Sequence, residues 1–413
     1  MMETMQISTR LRPLQGATCT GLQERQDASL VLPSSPEPFN GMFPKELSSM
    51  HIVEGKHDFL EKTVIGRVPV VAANGSPLMP CKPSKARKIL KENKATKQWS
   101  KLGIFYLQLK YNPEKPLSQP LVLGVDCGSK FEGYSIVGTK DTVLNIMSEA
   151  TTWVSKAVEQ RRIMRRARRY RKTRRRQCRF NNRLSKRIPP STRARWNTKL
   201  RIIQQLEKIL PINIIVVEDI KAVTRKTCKS QSRWNTAFSP LEVGKQHFYS
   251  QINRQLVLRS GMETKVLREV YGLRKLKNKS KQVFETHCVD AWVLAASMAG
   301  PNHPSTKSLY YLVPLRRHRR QLHRLQPERG GKRKLYGGTL SLGLKRGSLV
   351  KHRKHGFCYV GGCLNGNVSL HSVTDGKRLT QTAKKQECKV LTRLEFRTQF
   401  LPCLKSMGIL GGS

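Results

Sequence analysis

The apolar positions of this chain form short runs whose spacing changes along the sequence. Three strand-length runs follow one another after residue 120, in LVLGVDCGS, FEGYSIVG and DTVLNIMSEATTW, and tight turns with glycine or aspartate separate them. Such a succession is typical of an antiparallel meander. INIIVVEDI, at residues 212–220, is a continuous apolar run of the kind that forms a strand buried on both faces.

Helical periodicity alternates with these strands. It predicts a helix near residues 194–209, a helical region around 240–258 and a closing helix in QVFETHCVDAWVLAASMA. Between the last two, the pattern of ETKVLREV, residues 263–270, predicts another strand. A strand meander followed by alternating helices and strands predicts an α/β domain with a mixed sheet.

Smaller modules flank this domain. Before it, VPVVAANG predicts a strand that enters an Asn-Gly turn, and a proline-rich stretch precedes a basic helix in PSKARKILKENKA. KLGIFYLQLKY, residues 101–111, predicts a second strand. From Ser308 onwards, short strands in TLSLGL, GSLVKH, FCYVGG and NVSLHSV predict a small β-barrel or an open β-sheet.

The charge balance narrows the choice of partners. The 413 residues include 78 Lys and Arg but only 27 Asp and Glu, which gives a formal net charge of +51. Self-repulsion on this scale opposes folding unless a polyanion neutralises it, and nucleic acid is the obvious polyanion. A ribosomal-type protein or a general basic binder would show the same balance. A membrane surface is disfavoured, because the basic runs lack a matching apolar face.

Three further features of composition bear on location and metal content. Residues 1–66 hold six basic and eight acidic residues without periodicity, so we expect a disordered leader there. The chain has no signal-peptide core and no apolar segment of membrane-spanning length, which predicts a cytoplasmic protein. Ten cysteines form no CxxC pair, so reduced thiols are favoured over a zinc site at Cys358, Cys363 and Cys388.

Candidate chemistry lies on three elements of the α/β domain. Asp126 ends the first core strand, Glu218 ends the run IIVVE, and Asp290 lies on the last helix three residues after His287. Burying a lone carboxylate is costly, so three such acids at one sheet edge predict a metal site. Carboxylates suit Mg²⁺ or Mn²⁺, and two ions would serve phosphodiester hydrolysis. Taken singly, Asp126 could cap a turn, Glu218 could pair with an arginine, Asp290 could be a surface residue and His287 could be a core histidine.

A block of twelve arginines interrupts the domain at residues 161–183. As a helix it would be basic around its whole circumference and could not bury a face in its own core. Arginine forks suit phosphates, and Tyr170 and Phe180 could stack on bases. The alternative is a solvated basic arm or a localisation signal. The predicted nucleic-acid-binding residues are Arg161, Arg162, Arg165, Arg166, Arg168, Arg169, Arg171, Arg174, Arg175 and Arg176.

These motifs resemble the transposon-encoded IscB and IsrB proteins, which are RNA-guided nucleases with a RuvC (RNase H-like) domain. LGVDCGSKFEGYSIV, IIVVEDI and THCVDAWVLAA resemble the three split RuvC motifs, although Cys127 stands where we expect proline. RRARR fits the RRxRR signature of the bridge helix, and Asn74 to Pro80 resembles the PLMP module. The resemblance gives the following organisation: a PLMP-like module at 67–115, RuvC segments at 120–152, 192–236 and 237–302, a bridge helix at 155–190, a C-terminal module at 308–396 and a tail at 397–413.

The resemblance also implies an activity. IscB proteins carry an HNH nuclease between the second and third RuvC motifs, but here His247 is the only histidine between Glu218 and His287. FSPLEVGKQHFY, residues 238–249, resembles the direct connection of IsrB. IsrB-type proteins imply a long noncoding guide RNA, a double-stranded DNA target with an adjacent motif read by the C-terminal module, and nicking of the displaced strand. We expect one protein per ribonucleoprotein, in a bacterial cytoplasm and at the nucleoid when bound to DNA. An unguided RuvC-type nuclease on branched DNA and a catalytically inactive RNA or DNA binder remain as alternatives.

Overall fold

The computed structural model describes residues 66–114, 119–170, 188–220, 239–316, 325–326, 331–332 and 340–403. These residues all belong to one compact unit, Asp58–Ser413. Residues 1–65 of the predicted leader and residues 171–183 of the arginine block lie outside the described residues. Among the helices that are described, none is long and apolar enough to cross a membrane.

A four-stranded sheet with one helix forms the first module, in the order β2-β1-β4-β3. Its elements are β1 (Val68–Val71), β2 (Pro77–Cys81), α1 (Pro83–Lys91), β3 (Ala95–Trp99) and β4 (Phe105–Leu109). The Asn-Gly turn lies between β1 and β2, with Gly75 at a φ of 88°. The proline-rich stretch is itself a strand, because β2 lies at the sheet edge, where proline is tolerated. The largely exposed strand β3 was not predicted.

The central sheet has seven strands in the order β20-β10-β7-β6-β5-β8-β9. Strands β5, β6 and β7 form the predicted antiparallel meander, β8 is parallel to β5, and β9 is parallel to β8. The predicted α/β fold with a mixed sheet is therefore confirmed. The strands are β5 (Leu121–Asp126), β6 (Phe131–Val137), β7 (Thr142–Glu149), β8 (Ile212–Asp219), β9 (Gln255–Ser260), β10 (Leu309–Pro314) and β20 (Phe396–Leu401).

Helices cover both faces of the central sheet. They are α2 (Trp153–Tyr170), α3 (Pro190–Glu207), α4 (Pro240–Tyr249), α5 (Gly261–Val270) and α6 (Phe284–Ala299). Trp196 of α3 and Phe248 of α4 pack together in the core on one face. On the other face, α6 brings Trp292 and its neighbours into a second buried cluster. The predicted closing helix is therefore confirmed, and it is buried against one face of the sheet.

The segment between α4 and α6 differs from the prediction. ETKVLREV lies in helix α5, and the strand is the preceding QLVLRS of β9. A capping box starts this helix: the Ser260 side chain accepts a hydrogen bond from the Glu263 backbone, while the Glu263 carboxylate accepts one from the Ser260 backbone. This reciprocal cap satisfies two backbone N–H groups that a helix start otherwise leaves unpaired. The predicted helical region at 240–258 correspondingly ends at Tyr249.

The C-terminal part contributes to two sheets. β10 and β20 pair antiparallel from Leu309↔Leu401 to Pro314↔Phe396, so the tail predicted from residue 397 begins with a strand of the central sheet. A separate five-stranded sheet has the order β18-β17-β16-β15-β19, which is open rather than a closed barrel. The remaining elements are β11 (Leu325–Gln326), β12 (Gly331–Lys332), β13 (Leu340–Ser341), β14 (Leu344–Lys345), β15 (Ser348–His352), β16 (Gly356–Leu364), β17 (Asn367–Ser372), β18 (Arg378–Ala383), a 3₁₀ turn (Lys385–Glu387) and β19 (Cys388–Arg393).

Candidate metal centre

Three carboxylates from three elements meet at one edge of the central sheet. Asp126 is the last residue of β5, Glu218 lies near the end of the adjacent strand β8, and Asp290 lies on α6. One oxygen of each lies within 4.8 Å of the others. Within the part of the chain that the structure describes, this is the only such group of three acidic, histidine or cysteine ligands. The structure thus brings together the three predicted metal ligands.

Close backbone contact between α6 and the sheet creates this convergence. A β-carbon on Gly124 of β5 would lie 1.8 Å from the Ala291 carbonyl oxygen, and one on Gly133 of β6 would lie 2.1 Å from that of His287. Glycine at both positions lets the helix lie directly on the strands. Asp290 and His287 therefore face the end of β5, where Asp126 is located.

The carboxylates differ in protonation because their surroundings differ. Burial, and next to it the charge of Asp126, raise the pKa of Glu218 to about 8. Burial also opposes ionisation of Asp126, but the neighbouring His287 and the charge of Lys275 outweigh it and lower its pKa. In the metal-free protein, Glu218 thus carries a proton at neutral pH while Asp126 is ionised. A divalent cation would release that proton on binding.

His287 lies against the carboxylates with a fixed ring orientation. Its Nε2 is 3.0 Å from the Lys279 carbonyl oxygen, and its Nδ1 is 3.6 Å from Oδ2 of Asp126. Because a carbonyl oxygen can only accept, Nε2 donates and Nδ1 faces the carboxylate cluster. The ring also contacts Phe131, with centroids 5.5 Å apart. The ring is therefore held with Nδ1 towards Asp126.

Two basic residues that the sequence analysis missed complete the site. Arg268 of α5 places Nη1 2.5 Å from Oδ1 of Asp290. Lys275, in the loop before α6, places Nζ 3.5 Å from Oδ2 of Asp126 and in contact with Oδ2 of Asp290. The sequence LREVYGLRKLKNKSK, residues 267–281, does not single them out, because basic residues occur throughout this region.

A buried ion pair supports the turn that follows Asp126. Lys199 of α3 contacts the Glu132 carboxylate, and both side chains are almost fully buried. The Lys199 ammonium also donates to the Gly128 carbonyl at 3.3 Å, while the Tyr134 hydroxyl donates to Glu132 at 2.6 Å. A buried pair with these additional hydrogen bonds satisfies both charges. It links α3 to the backbone two residues after Asp126.

A second ion pair fixes the neighbour of Glu218. The Asp219 carboxylate accepts hydrogen bonds from Lys245 at 2.8 Å and from the Tyr249 hydroxyl at 2.9 Å. Both donors belong to α4, which lies in the predicted direct connection at 238–249. This helix is therefore bonded to the residue that follows the candidate metal ligand Glu218.

The described part of the arginine block forms helix α2. The side chains of Arg161, Arg162, Arg165 and Arg166 are exposed on it. Arg168 and Arg169 belong to the helix by their backbone, whereas Arg171, Arg174, Arg175, Arg176 and Phe180 lie outside the described residues. Arg161 lines a cavity of about 480 Å³ together with Trp153 and Arg316. This surface combines an aromatic ring with two guanidinium groups.

Comparison with known proteins agrees with the motifs. Residues 68–235 match the family described as RRXRR protein. This segment, about two fifths of the chain, is similar to that family. It contains Asp126, Glu218 and the arginine helix, while His287 and Asp290 follow it. The resemblance based on the RRARR signature is thereby confirmed. Among curated proteins, none matches the chain.

Solved structures resemble parts of this chain. RuvC of Thermus thermophilus in complex with a Holliday junction substrate is 12% identical, with a TM-score of 0.25 over 44% of this chain and 92% of that one. RuvC from Thermus thermophilus in a second structure gives 12% identity, a TM-score of 0.24, and 43% and 93% coverage. A ROK hexokinase from Thermus thermophilus gives 10% identity, a TM-score of 0.20, and 46% and 42% coverage.

The cysteines considered for zinc do not form a site among the residues described. Cys358 and Cys388 are buried free thiols, while Cys363 is exposed. Burial raises the pKa of Cys358 to about 12 and raises that of Cys388 as well.

Proposed function

We propose that this protein is an RNA-guided DNA endonuclease that nicks the displaced, non-target strand. The observation that carries the proposal is the convergence of Asp126, Glu218 and Asp290 within 4.8 Å in an RNase H-like domain. Three acids in a basic chain of net charge +51 suit a reaction at a nucleic-acid phosphate that needs a divalent cation.

The carboxylates would hold Mg²⁺, or Mn²⁺ in its place, and we propose two ions. The hard oxygen donors and the raised pKa of Glu218 fit a divalent cation, whose binding would replace the proton. Bound there, the ions would supply an activated water and stabilise the leaving oxygen of a phosphodiester. Asp126 and Asp290 are fixed by the sheet and α6, while half-buried Glu218 leaves one side of the site accessible.

His287 would act in proton transfer. Its Nε2 is occupied by the Lys279 carbonyl, so the lone pair of Nδ1 is the group that can accept a proton from the attacking water. Asp126 lies 3.6 Å from this nitrogen and would stabilise the imidazolium that results. We therefore assign His287 to proton transfer and the three carboxylates to metal binding.

Guide RNA would bind along α2. Exposed arginines on this helix suit phosphates, and the cavity between Trp153, Arg161 and Arg316 suits an unstacked base with its phosphate. The helix connects β7 to α3 within the central domain, which supports a fixed rather than a loose contact with nucleic acid. The C-terminal five-stranded sheet is the proposed reader of the target-adjacent motif.

One strand would be cut because the described residues hold a single cluster of three carboxylates. The interval between Glu218 and His287 lacks the histidine set of an HNH nuclease. The guide would pair with the target strand, and the displaced strand would be free to reach the carboxylates. We propose cleavage of that strand alone.

Purification without added nucleic acid tests this function. We expect one long noncoding RNA to co-purify, and the complex to nick matched duplex DNA in Mg²⁺ but not in EDTA. Cleavage of branched DNA by RNA-free protein would favour the unguided alternative. RNA binding without cleavage in either divalent metal would favour the inactive binder. Asp126→Asn is the matched control, because it removes a metal ligand without touching the arginine helix.

A further inference from the structure

The Lys275 ammonium lies against two of the three carboxylates. Its Nζ lies 3.5 Å from Oδ2 of Asp126 and contacts Oδ2 of Asp290. Three quarters of its side chain is buried. The ammonium thus lies between two of the acids that a bridging divalent cation would share.

The loop backbone on both sides of Lys275 is held in place. The Leu273 N–H donates to the Arg268 carbonyl at 2.9 Å, and the Leu276 N–H donates to the Glu285 carbonyl at 2.9 Å. These bonds attach the loop to α5 before Lys275 and to α6 after it. The position of the lysine is therefore part of the fold, whereas Lys277 in the same loop is exposed.

Arg268 and Lys275 bind Asp290 differently. Arg268 extends from α5 and approaches Oδ1, leaving Oδ2 to Lys275. A guanidinium is a rigid fork, whereas a lysine ammonium is a point charge on a flexible four-carbon chain. Lys275 can leave the carboxylates by side-chain rotation alone, while Arg268 keeps the orientation of Asp290.

We propose that Lys275 is a built-in counter-ion that competes with the divalent metal for Asp126 and Asp290. The inference rests on the proposed metal site and adds its regulation. Lys275 neutralises the acids when no metal is bound and must withdraw when metal enters. Metal affinity in the absence of nucleic acid is therefore lower than the three carboxylates alone would give.

Mn²⁺ binding to the nucleic-acid-free protein tests the competition. Free Mn²⁺ is measured by electron paramagnetic resonance during titration of wild type, Lys275→Met and Lys277→Met. We expect Lys275→Met to bind Mn²⁺ about tenfold more tightly or better, because a unit charge beside the acids is removed. Lys277→Met should match wild type, and Lys275→Arg, which retains the charge, should not gain affinity. Equal or weaker binding by folded Lys275→Met would overturn the proposal.

Two controls allow the Mn²⁺ titration to be interpreted. Circular dichroism verifies folding, and if Lys275→Met is unfolded, Lys275→Gln replaces it with the same expected direction and the same overturning result. Asp126→Asn separates this inference from the proposed function. If Asp126→Asn binds Mn²⁺ as wild type does, the metal site itself is refuted. If Asp126→Asn loses binding and Lys275→Met gains none, only the competition fails.

Discussion

Gly124 lies directly against Ala291, so that a β-carbon on the glycine would be 1.8 Å from the Ala291 carbonyl oxygen. This contact sets how closely α6 approaches the sheet. Ala291 directly follows Asp290, so the contact also fixes the position of that carboxylate. A side chain at position 124 must move the helix, because backbone atoms rather than a flexible side chain occupy the space. The glycine thus acts on the candidate metal site through the position of α6.

Gly124→Ala is predicted to destabilise the protein by about 1–3 kcal/mol, the usual cost of overpacking a core. Mn²⁺ binding should weaken with it, because Asp290 moves relative to Asp126. Gly362→Ala is the matched control, since the nearest atom there is 3.5 Å away at the end of the Arg346 side chain. Thermal unfolding measures the change in stability, and titration with Mn²⁺ measures the change in metal affinity. A Gly124→Ala protein with wild-type stability would contradict this packing.

Replacing any of the three carboxylates by its amide should abolish nicking and preserve RNA binding. We expect Asp126→Asn, Glu218→Gln and Asp290→Asn each to lose roughly 10³-fold or more in rate, because metal-ion catalysis contributes several kcal/mol. His287→Ala should lose less, about 10²-fold, as is typical of one proton-transfer group. Single-turnover cleavage and RNA gel shifts measure the two properties. Normal nicking by Asp126→Asn would remove that residue from the site.

The raised pKa of Glu218 predicts how stability depends on pH. Its folded pKa of about 8 exceeds the ordinary value of 4.5, so the folded protein binds more protons than the unfolded chain between these values. Stability of the metal-free protein should therefore fall as pH rises from 4.5 towards 8. Unfolding of wild type and Glu218→Gln in EDTA at several pH values isolates this contribution. Identical pH slopes for the two proteins would contradict the raised pKa.

The arginines of α2 should determine the salt dependence of RNA binding. Replacing Arg165, Arg166, Arg168 and Arg169 by alanine should weaken binding and flatten the plot of log affinity against log salt. Each lost phosphate contact should reduce the slope by about 0.7 for single-stranded RNA. The matching fourfold lysine variant keeps the charge and should keep most of the slope. An unchanged slope in the alanine variant would show that these residues do not touch phosphate.

Continuous apolar runs were enough to predict the central sheet. β5, β6, β7 and β8 each end within a few residues of the predicted bounds, because their side chains are buried on both faces. Asp126 and Glu218 were identifiable for the same reason, since a charged residue at the end of such a run is conspicuous, whereas Asp290 lies within helix α6. The positions of Asp126 and Glu218 could therefore be predicted from the local sequence pattern alone.

Elements whose apolar residues face solvent were not predictable in this way. In helix α5, the residues Met262, Val266 and Val270 are 71%, 51% and 74% exposed to solvent, so its apolar positions do not mark a buried face. The capping box at Ser260, rather than hydrophobic periodicity, marks where this helix begins. Lys275 and Lys199 could not be singled out either, because their roles depend on long-range contacts and the chain holds many basic residues.

Strand-specific cleavage is the most direct test of the proposed function. A matched duplex carries a different fluorophore on each strand, and the products of the purified ribonucleoprotein are resolved on a denaturing gel. One carboxylate site should cut the displaced, non-target strand and leave the target strand intact in Mg²⁺. Asp126→Asn should cut neither strand. Equal cleavage of both strands by the monomeric complex would contradict the single-site account.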